Sequence, residues 1–108
     1  MATFTKLTSL PQRAILDGSI RGHYAHLAGV TVGEVHLDAG TNVPMHTHPH
    51  EQVTYVIDGR FEFTVGDETT VLEAGMVALI PGGALHGGKT LTACRVIDVF
   101  SPARDDYR

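Results

Sequence analysis

Apolar and polar residues exchange places every second position through several short runs of this chain. That is the two-residue period of a strand with one face buried. Residues 30–37 follow the turn-prone Gly29 and end at Asp38-Ala39-Gly40. Val53-Thr54-Tyr55-Val56-Ile57 and Arg60-Phe61-Glu62-Phe63-Thr64-Val65 form the clearest pair, with Asp58-Gly59 between them. Asp-Gly in that setting predicts a hairpin, because glycine supplies positive φ without steric cost. A two-residue loop then pairs Ile57 with Arg60, Val56 with Phe61, Thr54 with Phe63 and Gln52 with Val65. Gly66-Asp67 predicts a second hairpin turn into a strand over 69–72. Residues 76–80 and 93–100 predict two more, ended by Pro81-Gly82-Gly83 and Ser101-Pro102. Residues 20–27 carry Arg21, His23 and His26 at strand positions, and 3–7 alternate as a short strand that Pro11 closes off. No helical period is sustained, so the pattern predicts an all-β sandwich or barrel.

Length and composition sharpen this picture. A chain of 108 residues suits one domain with a modest core, here expected over 20–107 behind an N-terminal arm, 1–19. Twelve Gly and five Pro supply the turns that such a fold needs. The formal charge of −4, without any Lys/Arg run, argues against a nucleic-acid partner. Cys94 stands alone, so no intramolecular disulfide forms, and a reducing compartment fits. Residues 1–20 lack a signal-peptide core, and no apolar run nears the ~18 residues of a membrane span. A cytoplasmic protein without membrane contact is expected. In small β proteins an alternating N-terminal arm often pairs with a partner subunit, so a homodimer is expected as well.

The chemistry concentrates in His46-Thr47-His48-Pro49-His50-Glu51-Gln52. Clustered imidazoles are a common sign of a metal site. His46, His48 and Gln52 share even parity, so a strand through this stretch aims all three to one face. In the predicted hairpin that face also carries Phe61 and Phe63 and is internal. A buried Gln amide without a partner costs about 1–3 kcal/mol, and a metal ion satisfies its carbonyl oxygen. Glu51 points to the opposite face. His50 follows Pro49, which disturbs a strand, and is placed at the rim. His23, His26 and His36 have no neighbours at metal spacing and read as structural.

Two motifs then carry a resemblance. Gly40, His46, His48, Gln52 and Gly59, with five, one, three and six residues between them, resemble the first motif of the cupins. Gly75, Pro81, Gly83 and His86, spaced by five, one and two residues, resemble the second. The resemblance implies a conical double-stranded β-barrel, or jelly roll, holding one divalent metal ion through His46, His48, Gln52 and His86. Gln52 departs from the usual glutamate, which leaves every protein ligand neutral and the ion a stronger Lewis acid towards an anion. Such donors do not choose between Zn, Ni, Mn, Fe and Co. Lys89 or Thr90 stands where the second motif usually has asparagine.

The tail Asp98-Val99-Phe100-Ser101-Pro102-Ala103-Arg104-Asp105-Asp106-Tyr107 is similar to that of the pectin-degradation cupins, which linearise 4,5-unsaturated monouronates. That similarity implies that Asp98, Phe100 and Arg104 line the pocket beside the metal as the catalytic and substrate-holding group. It implies a small, anionic substrate. Ala103 stands where a second proline is common. Parity agrees for Asp98, which shares a strand face with Val96 and Phe100 and is an inward carboxylate that needs a reason to be there. A polyketide-cyclase-like cupin, a metal-dependent dioxygenase and a non-enzymatic ligand-binding cupin are the competing functions.

Overall fold

A computed structural model describes residues 3–108. Ten strands account for nearly all of the regular structure: β1 (Gln12–Ile15), β2 (Ile20–His26), β3 (Thr31–Leu37), β4 (Asn42–His46), β5 (Glu51–Asp58), β6 (Phe61–Val65), β7 (Glu68–Leu72), β8 (Val77–Ile80), β9 (His86–Thr90) and β10 (Cys94–Ser101). They form a six-stranded sheet in the order β1-β2-β3-β10-β5-β8 and a four-stranded sheet in the order β4-β9-β6-β7. All pairings are antiparallel. The two sheets face each other as the double-stranded barrel that the motifs implied.

Alternation explains which residues lie between the sheets. On β5 the buried positions are Gln52, Thr54 and Val56, while Glu51, Val53 and Tyr55 face out. On β6 Phe61 and Phe63 are buried and Glu62 is not. Val35, Leu37, Val56, Phe61, Phe63, Leu72 and Val96 fill one end of the interior. The other end is polar and holds the site described below.

Three expectations are corrected here. First, residues 3–7 form no strand. Leu7–Ser9 is a 3₁₀ turn, and the first strand begins immediately after Pro11. Proline lacks an amide donor, so it precedes that strand rather than lying within it. Second, 53–57 and 60–65 are not a hairpin. β5 pairs with β10 and β8, and β6 with β7 and β9, so Asp58-Gly59 is a corner where the chain leaves one sheet for the other. Gly59 does take positive φ, 97°, and a Cβ there would collide with the Ala93 carbonyl oxygen and meet Cys94 Sγ at 2.8 Å. The positive-φ turn is present, but it joins two sheets rather than two strands of one. Gln52 and Phe63 still share the interior, but from facing sheets. Third, no single strand runs from His46 to Gln52. β4 ends at His46, 47–50 are irregular, and β5 begins at Glu51.

The Gly66-Asp67 turn is a hairpin as expected, pairing Val65 with Glu68. β9 was not anticipated, since Gly87-Gly88 hides its period. Bare glycine is required there, because a Cβ on Gly88 would lie 2.5 Å from the Glu62 carbonyl oxygen. Thr90, at the departure from the second motif, is buried. Its hydroxyl donates to the Asp38 carbonyl at 2.7 Å and accepts from the Thr41 amide at 2.8 Å, fastening β9 to the turn before β4. Among the described residues no helix is long and apolar enough to cross a membrane.

Candidate metal centre

His46 and His86 are register partners on β4 and β9 of the smaller sheet. His48 sits on the loop that follows β4. That loop is held over the turn after β8: the Gly83 amide donates to the His48 carbonyl at 2.8 Å, and a Cβ on Gly82 would lie 2.5 Å from the Pro49 carbonyl oxygen. One donor nitrogen from each of the three imidazoles lies within 4.8 Å of the others. Gln52 comes from β5, in the facing sheet. The fold therefore gathers the four candidate ligands from two sheets and a loop, and parity along one strand has no part in it.

The protons can be placed. His46 Nδ1 lies 2.8 Å from the Pro44 carbonyl, His48 Nδ1 3.0 Å from that of His50, and His86 Nδ1 2.9 Å from that of Ala84. A carbonyl only accepts, so each Nδ1 carries hydrogen. Desolvation on burial pulls His48 and His86 below the usual imidazole range, towards the neutral form. Each then offers a bare Nε2 lone pair, the form in which imidazole ligates. His86 Nε2 is buried and has no hydrogen-bond partner. His48 Nε2 lies 2.9 Å from Gln52 Oε1. The amide is oriented by its own nitrogen, which donates to Thr54 Oγ1 at 2.9 Å and Asp98 Oδ1 at 3.3 Å. Two lone pairs therefore face one another with no proton between them, an arrangement that a cation resolves. The residues fit a divalent ion held by neutral donors.

Asp98 lies beside this centre on β10, opposite Thr54 of β5 and Gly33 of β3. Its Oδ1 accepts from Thr54 Oγ1 at 2.6 Å as well as from Gln52. Burial raises its carboxyl above the ordinary range, against the opposing pull of those hydrogen bonds and of Arg104. Phe100 is buried two residues further along, edge-on to His48 at 6.0 Å. Arg104 places its guanidinium 4.8 Å from the Phe100 ring centre and 4.1 Å from that of Tyr107. Its Nε and Nη2 donate to the two oxygens of Asp106, at 3.0 and 2.8 Å. That fork is engaged, which leaves Nη1 as the donor without a protein partner among the described residues.

A cavity of about 100 Å³ joins these groups, lined at its polar end by His46, His48, Gln52, His86, Asp98 and Arg104. That is well above the ~10–15 Å³ that a single water needs, so the cavity admits several waters or one small molecule. All seven residues singled out in the sequence line it, since Phe100 does too. His50 does not. It packs edge-on against His48 and Phe100, with Nδ1 buried and unpartnered. His23, His26 and His36 are engaged elsewhere, with the Leu10 carbonyl, Thr31 and Glu34.

Thr54, Tyr24 and Tyr107 line the cavity without having been singled out. Thr54 had a signal, its parity with Gln52. Tyr24 had a weaker one, the glycine two residues before it. Its ring lies over Gly22 and Gly33, and a Cβ on either would strike it. Burial raises its phenol far above the ordinary range.

A protein-family model described as a cupin domain matches residues 33–100. An uncharacterised protein from Streptomyces coelicolor, SCO3923, is 36% identical over 92 residues, which is 84% of this chain and 87% of that protein. The crystal structure of an RmlC-like cupin from Shewanella frigidimarina superposes with a TM-score of 0.91 at 28% identity, covering 100% of this chain and 97% of its own. KdgF from a Halomonas species superposes at 0.90 with 29% identity, covering 98% of this chain and 100% of its own. The barrel is thus shared with known proteins, the family match spans the residues that carry both motifs, and the chain belongs to the cupin family.

Proposed function

We propose that this cupin is a metal-dependent enzyme that opens the ring of a small unsaturated uronate to its linear keto form, with His46, His48, Gln52 and His86 holding one divalent ion. The observation that carries the reading is the hydrogen-bonded line from Gln52 through Thr54 to Asp98. It sets a carboxyl of raised proton affinity directly beside the metal-ligand group, in a cavity that also receives Arg104. The resemblance of the tail to that of the pectin-degradation cupins supports the choice of substrate, as does the similarity to KdgF.

The bound ion supplies Lewis acidity towards substrate oxygens, undiminished by any anionic protein ligand. The protein's own groups do the rest. Arg104 Nη1 donates to the substrate carboxylate, with the guanidinium held between Phe100 and Tyr107. Asp98 accepts the proton of the anomeric hydroxyl. The C1–O bond to the ring then breaks, C1 becomes an aldehyde, and the ring oxygen leaves as an enolate. Asp98 returns the proton to C4 as the enolate becomes a ketone. The reaction is an isomerisation and needs no oxidant or second substrate. A group that takes and returns a proton works best with a pKa near the working pH, the direction in which burial moves Asp98.

Loss of the unsaturated uronate's ultraviolet absorbance with the metal-loaded protein tests this reading. Asp98→Asn is expected to keep the metal and lose turnover by ~10²–10⁴. Arg104→Ala is expected to raise KM with a smaller effect on kcat. Near-normal turnover by Asp98→Asn, with metal bound, removes Asp98 from the chemistry. One feature favours a second reading, a cyclase-like isomerase with an apolar substrate: the inner end of the cavity is lined by Ile20, Val35, Leu37, Phe61 and Phe63. Turnover of an uncharged aromatic substrate that Arg104→Ala leaves unaffected is the result that selects it.

A further inference from the structure

One polar group of the cavity has no part in the reaction above. Tyr24 begins a transverse row of the larger sheet that continues through Gly33, Asp98 and Thr54, each the register partner of the next. Its side chain does not stay in that row. A Cβ on Gly33 would collide with Cδ1 and Cε1, and one on Gly22 would meet Cε2 and Oη at 2.5 Å. Oη therefore ends over Gly22, in the neighbouring row, which continues through Val35, Val96 and Val56. Arg13 closes that row on β1, but its guanidinium is taken up by the Tyr107 ring, 5.4 Å from the ring centre. The hydroxyl stands at the apolar end of the cavity. Tyr24 is 8% exposed, and its Oη has no hydrogen-bond partner among the described residues. Burial raises the phenol far above its ordinary range, and the Asp98 charge adds to the effect, so the proton stays on. Shape alone fixes the ring: bare backbone at two glycines beneath it and the Tyr107 ring 4.7 Å away. The donor is thus in place before any ligand arrives.

We infer that Tyr24 sets specificity at the far end of the substrate, its hydroxyl donating to the C2 hydroxyl oxygen of the uronate. The inference rests on the uronate reading and adds to it the residue that recognises the sugar ring. Order along the strands carries it. Arg104 lies against Phe100, whose row with Thr31 and Gln52 is on the mouth side of Asp98. Tyr24 Oη is one row to the inner side. From mouth to interior the polar groups therefore run Arg104, Asp98, Tyr24 Oη. The substrate has the same order. Its carboxylate is borne on C5, C1 and C4 are the atoms between which Asp98 moves a proton, and C2 stands across the ring from C5. With the carboxylate on Arg104 and C1 and C4 at Asp98, C2 is the ring carbon directed inward. A substrate that fills the cavity shuts water out, so it must itself supply the partner that the hydroxyl lacks. An apolar substrate leaves Oη unpaired among valines and is disfavoured for that reason. Sites built to hydrogen-bond a substrate hydroxyl reject analogues without it far more strongly than apolar pockets reject an extra methylene.

The test is steady-state kinetics of metal-loaded wild type and Tyr24→Phe on the 4,5-unsaturated uronate and on its 2-deoxy and 3-deoxy analogues. Wild type is expected to lose roughly 10–100-fold in kcat/KM on the 2-deoxy analogue. Tyr24→Phe is expected to lose a similar factor on the parent substrate, chiefly through KM, because C2 takes no part in the bond changes. On the 2-deoxy analogue Tyr24→Phe should show little further loss, since one hydrogen bond cannot be removed twice. On the 3-deoxy analogue the two losses should multiply. Free Tyr24→Phe should melt at or above wild type, because the hydroxyl gives up no bond within the protein. Losses from Tyr24→Phe and from the missing C2 hydroxyl that multiply overturn the inference. So does a Tyr24→Phe chain that melts well below wild type, which assigns the hydroxyl a structural partner. Absence of uronate turnover by metal-loaded wild type is a separate failure, removing the uronate reading and this inference together.

Discussion

Gln52 sets the charge of the candidate metal centre. The rest of the first motif leaves a negative ligand to be expected at this position, and the amide there instead turns one end to His48 and the other to Thr54 and Asp98. At the mouth, Asp106 performs a different service for Arg104. It occupies the Nε and Nη2 edge and so determines which donor of the guanidinium remains for a ligand. The Arg104 contact holds the Asp106 carboxyl below the ordinary range. A carboxylate depressed in the folded state adds stability above its unfolded pKa of about 3.9, and that contribution is lost as pH falls through the lower folded value. Asp106 is 58% exposed, so the pair is worth about 0.2–1 kcal/mol. Asp106→Asn should therefore melt up to a few degrees below wild type at pH 7, with the gap closing in scans below about pH 4. A gap that persists in acid would show that the tail is held by something other than this ion pair.

At the scale of elements, legibility divided along a physical line. That His46, His48, Gln52 and His86 meet at one place could be found by spacing, because the distances along the chain between turn glycines and these candidate ligands are set by strand length. The inward direction of Asp98 could be found by parity within one strand. Which strands pair could not, because Asp58-Gly59 provides the same positive-φ bend for a hairpin and for a corner between sheets. Only the demand of both β5 and β6 for an interior partner, satisfied by different sheets, settles the matter. Tyr24 was hidden for a related reason: its place depends on glycines in two strands. Gly33 lies between Tyr24 and Asp98 in the register, and the missing Cβ is the space that the ring fills. Gly33→Ala should cost about 1–3 kcal/mol by overpacking. Chemical denaturation of Gly33→Ala, Tyr24→Ala and the double variant should reveal a combined loss smaller than the sum, since removal of the ring returns the space. Strict additivity would mean that the two residues do not share it.

For the molecule as a whole, the polar end of the barrel is a set of lone pairs pointed at one another, and a bound ion should contribute to holding the two sheets together. An ion at about 100 times its dissociation constant adds about 2.7 kcal/mol, on the order of 10 °C for a chain of this size. Chelation should lower the melting temperature by that order, and a stoichiometric return of Zn, Ni, Mn, Fe or Co should restore it for whichever ion fits. His86→Ala should lose the response to chelator. A melting temperature indifferent to chelation in metal-loaded wild type would separate the site from the fold's stability.

The last strand of the chain occupies the middle of the larger sheet, with β3 on one side and β5 on the other. During synthesis every other strand therefore emerges before the one that joins them. Until β10 arrives, β1-β2-β3 and β5-β8 are separate ribbons with open edges, and Gln52 has neither Asp98 nor a closed barrel behind it. Closure must bring β10 together with segments about forty (β5) and about sixty (β3) residues away, which places the chain among slow, topologically demanding folders. A nascent chain stalled anywhere short of Cys94 exposes two unpaired edges at once, so the interval before β10 emerges is when it is most open to aggregation and most in need of a chaperone.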